Sequence, residues 1–529
     1  MKSLLLGILI LFGLVTCLHA AEPADSPSAK PNIIVILADD LGVGDVQCCF
    51  KDGKIPTPNL DRLASQGMMF TNAHSGSAVC SPTRYGIQTG RYAWRTYLRG
   101  GVLNSYDAPL ISADRLTLPA MLKQQGYATD CVGKWHLGWE WPFRTDTLRK
   151  TFGTGHNDGA PNHAEPKDFD WSQPIAGGPT TRGFDTYFGT HVPNQPPYGF
   201  IENDRFVGVP SVMFGGAATL PAYYYVDVLG PMVPGHKFED ILPAITQRAT
   251  DVIAKRAAAK QPFFLYFALT SPHEPVAPSK PWLGKSGISP LADFIMQTDD
   301  TVGQVLQALE KSGTAQNTLV IFTADNGHCP YTDLNDLLKA GHRPSGPFRG
   351  YKADIWEGGH HEPFFARWPD KIKPGTTCDD MICLTDLMAT CAAITGAKLP
   401  ENAAEDSVNF LPDLLGTATS PCREAIVHQG LSGALAIRQG QWKLEYCPGS
   451  NGYGSASPPG DDDARKQGLP EVQLYDMATD VAEQRNVQAE HPEIVNHLTQ
   501  LLQKYIDDGR STPGPKQKND VPVKIVPGK

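Results

Sequence analysis

Asn32-Ile33-Ile34-Val35-Ile36-Leu37-Ala38-Asp39-Asp40-Leu41-Gly42-Val43-Gly44 is the stretch that decides how this chain folds. Ile33 to Ala38 is a continuous, mostly β-branched apolar run, and a strand buried on both faces of a parallel sheet has that composition. The run ends in two carboxylates and a glycine-rich turn. Open α/β sheets place their ligands at the carboxyl ends of such strands.

The same grammar recurs along the chain. Asn59 to Ala64 reads as a helix stopped by Gly67, and Pro119 to Gln125 as another. Tyr127 to Val132 reads as a strand followed by the turn Gly133-Lys134-Trp135-His136-Leu137-Gly138. Phe263 to Leu269 is a buried strand leading to Ser271-Pro272-His273-Glu274-Pro275, and Thr318 to Thr323 one leading to Ala324-Asp325-Asn326-Gly327. A helix carrying Ile295, Val302, Val305, Leu306 and Leu309 precedes the latter. This alternation predicts an α/β fold with a mostly parallel central sheet sandwiched by helices.

Past residue 420 the character changes. Short antiparallel strands are expected over 434–437, 442–446 and 472–475, then a helix over 494–506 stopped by Gly509. The expected organisation is a catalytic domain over 31–420, a smaller C-terminal α+β domain over 421–510 and a flexible tail over 511–529. Residues 1–20, with Lys2 and the apolar run Leu4 to Leu14, read as a secretory signal, and 21–30 as a flexible leader. The apolar run is short for a membrane span. The expectation is an exported protein, periplasmic or secreted; Leu14-Val15-Thr16-Cys17 leaves open a lipid anchor at Cys17.

At 529 residues the chain exceeds what one core usually serves. A net charge of −10 argues against nucleic acid as a partner, while a few placed cations still allow an anionic substrate. None of the 11 cysteines forms a Cys-x-x-Cys pair, so zinc and dithiol redox chemistry are disfavoured. With Cys17 and Cys80 set aside an odd number remains, and at least one thiol is expected to stay unpaired.

Asp39, Asp40, Asp325 and Asn326 are hard oxygen donors on two strand ends, a set suited to Ca²⁺ and less readily to Mg²⁺. By itself an Asp-Asp pair after a strand is more often a solvated turn. Cys80 opens Cys80-Ser81-Pro82-Thr83-Arg84, a helix start with Pro82 in its first turn. It reads as a buried structural cysteine, a reactive thiol or a modified residue. Arg84 lies one turn on and can point back to Cys80. Lys134 and His136 alternate in their turn and can enter one pocket. His273 follows a buried strand, and Lys352 stands in Tyr351-Lys352-Ala353-Asp354-Ile355-Trp356-Glu357-Gly358-Gly359; each lysine also reads as a surface charge. Trp135, Trp139, Trp141, Tyr198 and Trp356 either line a sugar site or pack in the core.

Cys80-x-Pro82-x-Arg84 with Thr89-Gly90-Arg91, the strand-end carboxylates, Gly-Lys-Trp-His and Lys352 with Glu357-Gly358-Gly359 together resemble the type I sulfatases of the alkaline phosphatase superfamily. The resemblance runs from Pro31 to about Gly509. It implies that Cys80 is oxidised to formylglycine by a formylglycine-generating or anaerobic sulfatase-maturating enzyme. It also implies that Asp39, Asp40, Asp325, Asn326 and the modified Cys80 hold Ca²⁺. A thiolate attacking a sulfate ester would be stranded as an S-sulfo adduct, whereas one hydroxyl of an aldehyde hydrate attacks sulfur and the other expels sulfate. The resemblance further implies that Lys134 and Lys352 bind sulfate oxygens, that His136 takes a proton during sulfate release, and that His273 with Lys352 protonates the leaving oxygen. A sulfate contact after Tyr187-Phe188-Gly189 falls to His191, Asn194 or Gln195. His361-Glu362-Pro363 stands where Arg-Val-Pro is common in the family. The expected substrate is a sulfated carbohydrate, galactose or N-acetylgalactosamine sulfate by loose resemblance, or an aryl sulfate. A phosphatase or phosphonate monoester hydrolase of the same superfamily and an inactive glycan-binding protein are the alternatives.

Overall fold

The strand Asn32–Asp39 (β1) is the middle of a ten-stranded sheet. The structure, a computed structural model, describes residues 30–153 and 163–525. The signal segment, Cys17 and all of the leader except Lys30 lie outside the described residues.

β1 pairs in parallel with Phe263–Pro272 (β7) on one side and Thr318–Ala324 (β8) on the other. Beyond β7, Ala128–Lys134 (β3) and Thr186–Thr190 (β4) continue the parallel run. Beyond β8 the sheet turns mixed, with Phe364–Arg367 (β9) antiparallel, then Met68–Phe70 (β2) and Thr376–Cys378 (β10). Two short antiparallel strands, Ile201–Glu202 (β5) and Arg205–Phe206 (β6), close the other edge. The order is β10-β2-β9-β8-β1-β7-β3-β4-β5-β6, a mostly parallel sheet as expected.

Alternation along β1 feeds two cores. Ile33, Val35 and Leu37 pack against Cys80–Thr89 (α2), Leu118–Gln124 (α3) and Leu387–Thr395 (α6). Ile34, Ile36 and Ala38 pack against Pro58–Ser65 (α1), Ile241–Ala259 (α4) and Pro290–Lys311 (α5). Helices on both faces explain why the strand has no polar side. Because β8, β1, β7, β3 and β4 run in parallel, their carboxyl ends share one edge, and every motif singled out after a strand arrives there.

A second sheet begins with Ile426–Gln429 (β11) and continues through Leu435–Gln439 (β12), Trp442–Glu445 (β13) and Gln473–Asp476 (β14), all antiparallel. Three of these strands are expected from the sequence; β11 is not, because its Ile-Val-His-Gln has no clear alternation. Pro492–Asp507 (α7) lays Leu498, Leu501, Leu502, Tyr505 and Ile506 on this sheet. The described residues from Pro31 onward form one compact unit, so a new sheet, not a break in packing, marks the change near 420.

The tail expected to be flexible from residue 511 is docked over its described part. Asp520 pairs with Arg91 Nη2 at 3.0 Å, Asn519 Oδ1 accepts from Arg95 Nη1 at 2.9 Å, and Val523 and Ile525 pack beside α7. Two buried guanidinium groups draw in a stretch whose composition reads as loose. No helix among the described residues is long and apolar enough to cross a membrane.

Candidate active site

β1 ends on Asp39, and Asp40 then takes a left-handed conformation, φ 65°, which aspartate tolerates better than most residues. That turn sends both carboxylates into one buried space at the sheet edge, 0% and 2% exposed. Asp325 and Asn326 arrive from the end of β8. The backbone N–H of Asp40 donates to Asp325 Oδ1 at 3.3 Å, and Asn326 Nδ2 donates to Asp40 Oδ1 at 2.7 Å.

Cys80 is the first residue of α2. Its N-cap, Val79, has no side-chain acceptor for the first-turn amides, and Pro82 needs none. Gly90 ends the helix at φ 63°, where a Cβ would lie 2.9 Å from Ala404 Cα. The Sγ of Cys80 falls within 4.8 Å of a carboxylate oxygen from each of Asp39 and Asp325. Burial pushes the thiol up to about 11, only partly offset by Lys134 and Lys352, so little thiolate exists at neutral pH.

One turn along, Arg84 points back as the spacing suggests. Nε and Nη2 reach Asp325 Oδ2 at 2.9 and 2.7 Å, and Nη1 donates to the Lys134 carbonyl at 3.1 Å. Lys134 Nζ donates to Asp39 Oδ2 and Lys352 Nζ to Asp40 Oδ2, both at 2.7 Å. The turn expected at 133–138 starts later, since Lys134 is the last residue of β3. Gly133, at φ 107°, makes this possible, because a Cβ there would lie 1.8 Å from the Ala268 carbonyl oxygen of β7. His136 enters through its own left-handed turn, φ 53°, and not by alternation in an extended segment.

Three carboxylates meet three cations here. Burial opposes the charge on Asp39, but Lys134, His273 and Arg84 hold its carboxyl below the usual range; Lys352 and His273 do the same for Asp40. Burial and the repulsion of Asp39 push Asp325 up to about 7 despite Arg84. Asp39 Oδ1 and Asn326 Oδ1 are buried without a hydrogen-bond partner. Two orphaned oxygens beside two further carboxylates form an all-oxygen donor set, which fits a hard divalent cation.

The two histidines show distinct tautomers by the acceptors they face. His136 Nε2 donates to the Leu103 carbonyl at 2.9 Å, leaving Nδ1 as a buried acceptor without a partner. Burial and the charge of Lys134 keep this ring well below the ordinary histidine range. His273 Nδ1 donates to the Glu274 carbonyl at 2.6 Å, and Nε2 lies 3.7 Å from Asp40 Oδ2.

The five aromatic residues left open by the sequence are buried, Trp135, Trp139, Trp141, Tyr198 and Trp356 being at most 2% exposed, though Trp139 and Trp141 also line a cavity of about 660 Å³ with Arg144 and Arg149. The exposed rings beside the site are Tyr225, Tyr331 and Tyr453, in loops without periodicity. Of the sulfate-contact candidates, His191 Nε2 bonds to the Pro196 carbonyl, and Asn194 Nδ2 to Glu274 Oε1 at 2.8 Å; Gln195 Oε1 is buried without a partner.

Sequence reasoning missed Asp45, whose carboxylate takes His328 Nδ1 at 2.9 Å and His342 Nε2 at 2.8 Å. This clamp joins the loop after β1 to the loop after β8. An acid in the first loop and a histidine just past Asn326 are its only sequence signal. It also missed the buried network behind Glu357, where Lys443 Nζ reaches Glu357 Oε1 at 3.3 Å, Glu445 Oε1 at 3.1 Å and Glu483 Oε1 at 2.6 Å. No disulfide joins the described cysteines.

A doubly covered α/β sheet with a cysteine-bearing helix aimed at strand-end carboxylates defines a class of ester hydrolase. The sulfatase family model matches residues 31–397. An N-acetylgalactosamine-6-O-sulfatase of Bacteroides thetaiotaomicron is 35% identical over 517 residues, covering 90% of this chain and 93% of its own. Human arylsulfatase A is 30% identical, covering 96% of this chain and 93% of its own. A solved Bacteroides thetaiotaomicron structure, described under the metabolism of multiple glycosaminoglycans, superposes with TM-score 0.76 at 32% identity over 90% of this chain and 99% of that one. The chain belongs to the sulfatase family and is a sulfuric ester hydrolase.

Proposed function

We propose that this sulfatase removes sulfate from a sulfated carbohydrate of the N-acetylgalactosamine or galactose type, with Cys80 matured to formylglycine beside one calcium ion. The observation that carries the reading is the convergence of Cys80 with Asp39 and Asp325 within 4.8 Å at the N-terminus of α2. The substrate class rests on the relatives, several of which are N-acetylgalactosamine-6-sulfatases.

Asp39, Asp40, Asp325 and Asn326 would hold the calcium. The ion would supply positive charge beside the reacting sulfate, and the matured residue an oxygen nucleophile in place of a thiol. Lys134 is held by Asp39 and Lys352 by Asp40, and both bind sulfate oxygens, offsetting charge that grows on them. Arg84 fixes Asp325 and holds the Lys134 carbonyl, and so keeps the cluster in register. His136, neutral and with Nδ1 free, accepts a proton there as the sulfate is released. His273 keeps its Nδ1–H on a carbonyl and turns Nε2 to the site; as the doubly protonated imidazolium it delivers the Nε2 proton to the leaving oxygen, with Lys352 beside it, and is left as the neutral Nδ1–H tautomer.

The targeting pattern at the N-terminus is the ground for proposing export to the periplasm or beyond. Turnover of defined sulfated mono- and oligosaccharides by the matured protein, beside aryl sulfate and aryl phosphate, tests the assignment. Release of sulfate from a hexosamine or hexose sulfate is expected. Faster cleavage of aryl phosphate than of any sulfate ester would overturn it.

A further inference from the structure

Beside His273 and Lys352 the surface opens into a cavity of about 390 Å³, within the range of small-ligand sites. Asn194, Tyr225, Asp227, Glu274 and Tyr331 line it, and no lysine, arginine or histidine is among its lining residues. Glu274 is 6% exposed. Its Oε1 is held by Asn194 Nδ2 at 2.8 Å, with Tyr331 Oη at 3.4 Å. Its Oε2 and the Oδ1 of Asn194 are buried acceptors with no hydrogen bond; His273 Nδ1 stands 3.7 Å from Oε2 but is spent on the Glu274 carbonyl at 2.6 Å. One side chain thus anchors the other, and each presents an unmet oxygen. Leaving a buried acceptor unmet is costly, so the arrangement makes sense where a ligand brings the donors. Around this pair stand exposed rings, Tyr331 at 44% and Tyr225 at 39%. Lys352 Nζ lies 5.9 Å from the Tyr331 ring centre, which places the rim directly beside the proposed sulfate site.

Two adjacent acceptors suit two adjacent hydroxyl donors, and exposed aromatic faces suit the apolar face of a sugar ring. The lining carries two carboxylates, Asp227 and Glu274, and no lysine or arginine, which disfavours a further anion inside the cavity itself. We infer that Glu274 and Asn194 read neighbouring hydroxyls on the sulfated ring, and that this cavity admits a ring bearing no charge other than the sulfate to be cleaved. The inference rests on the carbohydrate reading above and narrows it to singly charged rings at this position.

Calorimetric binding to the full-length Cys80→Ala protein tests it, with N-acetylgalactosamine 6-sulfate and N-acetylgalactosamine 4,6-disulfate as probes. The monosulfate is expected to bind more tightly by about 10-fold or more. Glu274→Gln is expected to weaken the monosulfate by about 10-fold and to erase the preference. Asp227→Asn, at an exposed position, is expected to narrow the preference without touching the buried pair. Equal binding of the two sugars, binding of neither, or unchanged affinity and preference in both variants overturns the inference. Aryl sulfate hydrolysis by the wild type is read separately. Its absence counts against the proposed sulfate-cleaving machinery, whereas normal aryl turnover with equal binding of the two sugars counts against this subsite alone.

Discussion

Lys134 Nζ donates to Asp39 Oδ2 at 2.7 Å, and this bond ties the ends of two strands, β3 and β1, that are separated in the sheet by β7. The site is therefore assembled across the sheet edge and not within one loop. Lys134→Ala is expected to lower kcat by about 10²–10³-fold, the usual cost of losing one donor to developing oxyanion charge. Steady-state kinetics on an aryl sulfate check this, and a loss under tenfold would remove Lys134 from the sulfate site.

Cys80→Ala and Cys80→Ser are expected to fold with the wild-type melting temperature and to lose at least ~10³-fold in kcat/KM, since each lacks the activated nucleophile. Intact mass of the Cys80 peptide from active protein reports the modification directly. A free thiol at full occupancy in fully active enzyme would contradict the proposal.

Divalent-ion removal should act on stability as well as rate. Asp39 Oδ1 and Asn326 Oδ1 are buried without a hydrogen bond, Arg84 Nη2 standing 3.4 Å from the former, and a bound ion would satisfy both. After chelation the melting temperature is expected to rise with added Ca²⁺ more than with Mg²⁺, by an amount equivalent to ~2.7 kcal/mol at a hundred times the dissociation constant. Differential scanning fluorimetry over a Ca²⁺ series measures it, and a flat response would exclude a bound cation.

Lys443 is fully buried among Glu357, Glu445 and Glu483. Lys443→Met leaves those carboxylates without their shared cation and is expected to cost about 3–5 kcal/mol. The denaturant midpoint checks the size. Restoration by pairing the change with Glu483→Gln would show that unpaired charge, not lost packing, is the cause.

Acid stability should carry the signature of Asp45. Burial opposes its charge, but His328 and His342 hold the carboxyl at about 2, below its ordinary 3.8. A depressed carboxyl stabilises the fold fully above its unfolded-state value, and that stabilisation is lost as pH falls through the folded-state one. About 2 kcal/mol is expected to disappear between pH 4 and pH 2. Asp45→Asn should flatten unfolding free energy over that window, as followed by circular dichroism.

The parallel core was legible because β1, β7 and β8 are long apolar runs whose burial on both faces removes ambiguity. Arg84 was placed correctly because helical spacing alone sets its direction. Lys134 and His136 were brought to the right place for the wrong reason: Gly133 and a left-handed turn do what alternation was expected to do. The flanking strands β2, β5, β6, β9 and β10 are two to four residues long, and such short pairings are set by distant partners, not by local pattern. Glu274, Tyr225 and Tyr331 were missed as a group because nothing periodic links residues that meet only through loop closure.

Every residue of α2, from Cys80 to Thr89, is buried. The segments that lock it in place are synthesised long after it: Thr385 Oγ1 bonds to the Asp406 carbonyl beneath the helix, Arg95 is gripped by Asp406, and Arg91 is held by Asp520 near the chain's end. If Cys80 is matured as proposed, an enzyme that needs the Cys80–Arg91 stretch in an open form would have a deadline: it would have to act before the last hundred or so residues fold over that stretch.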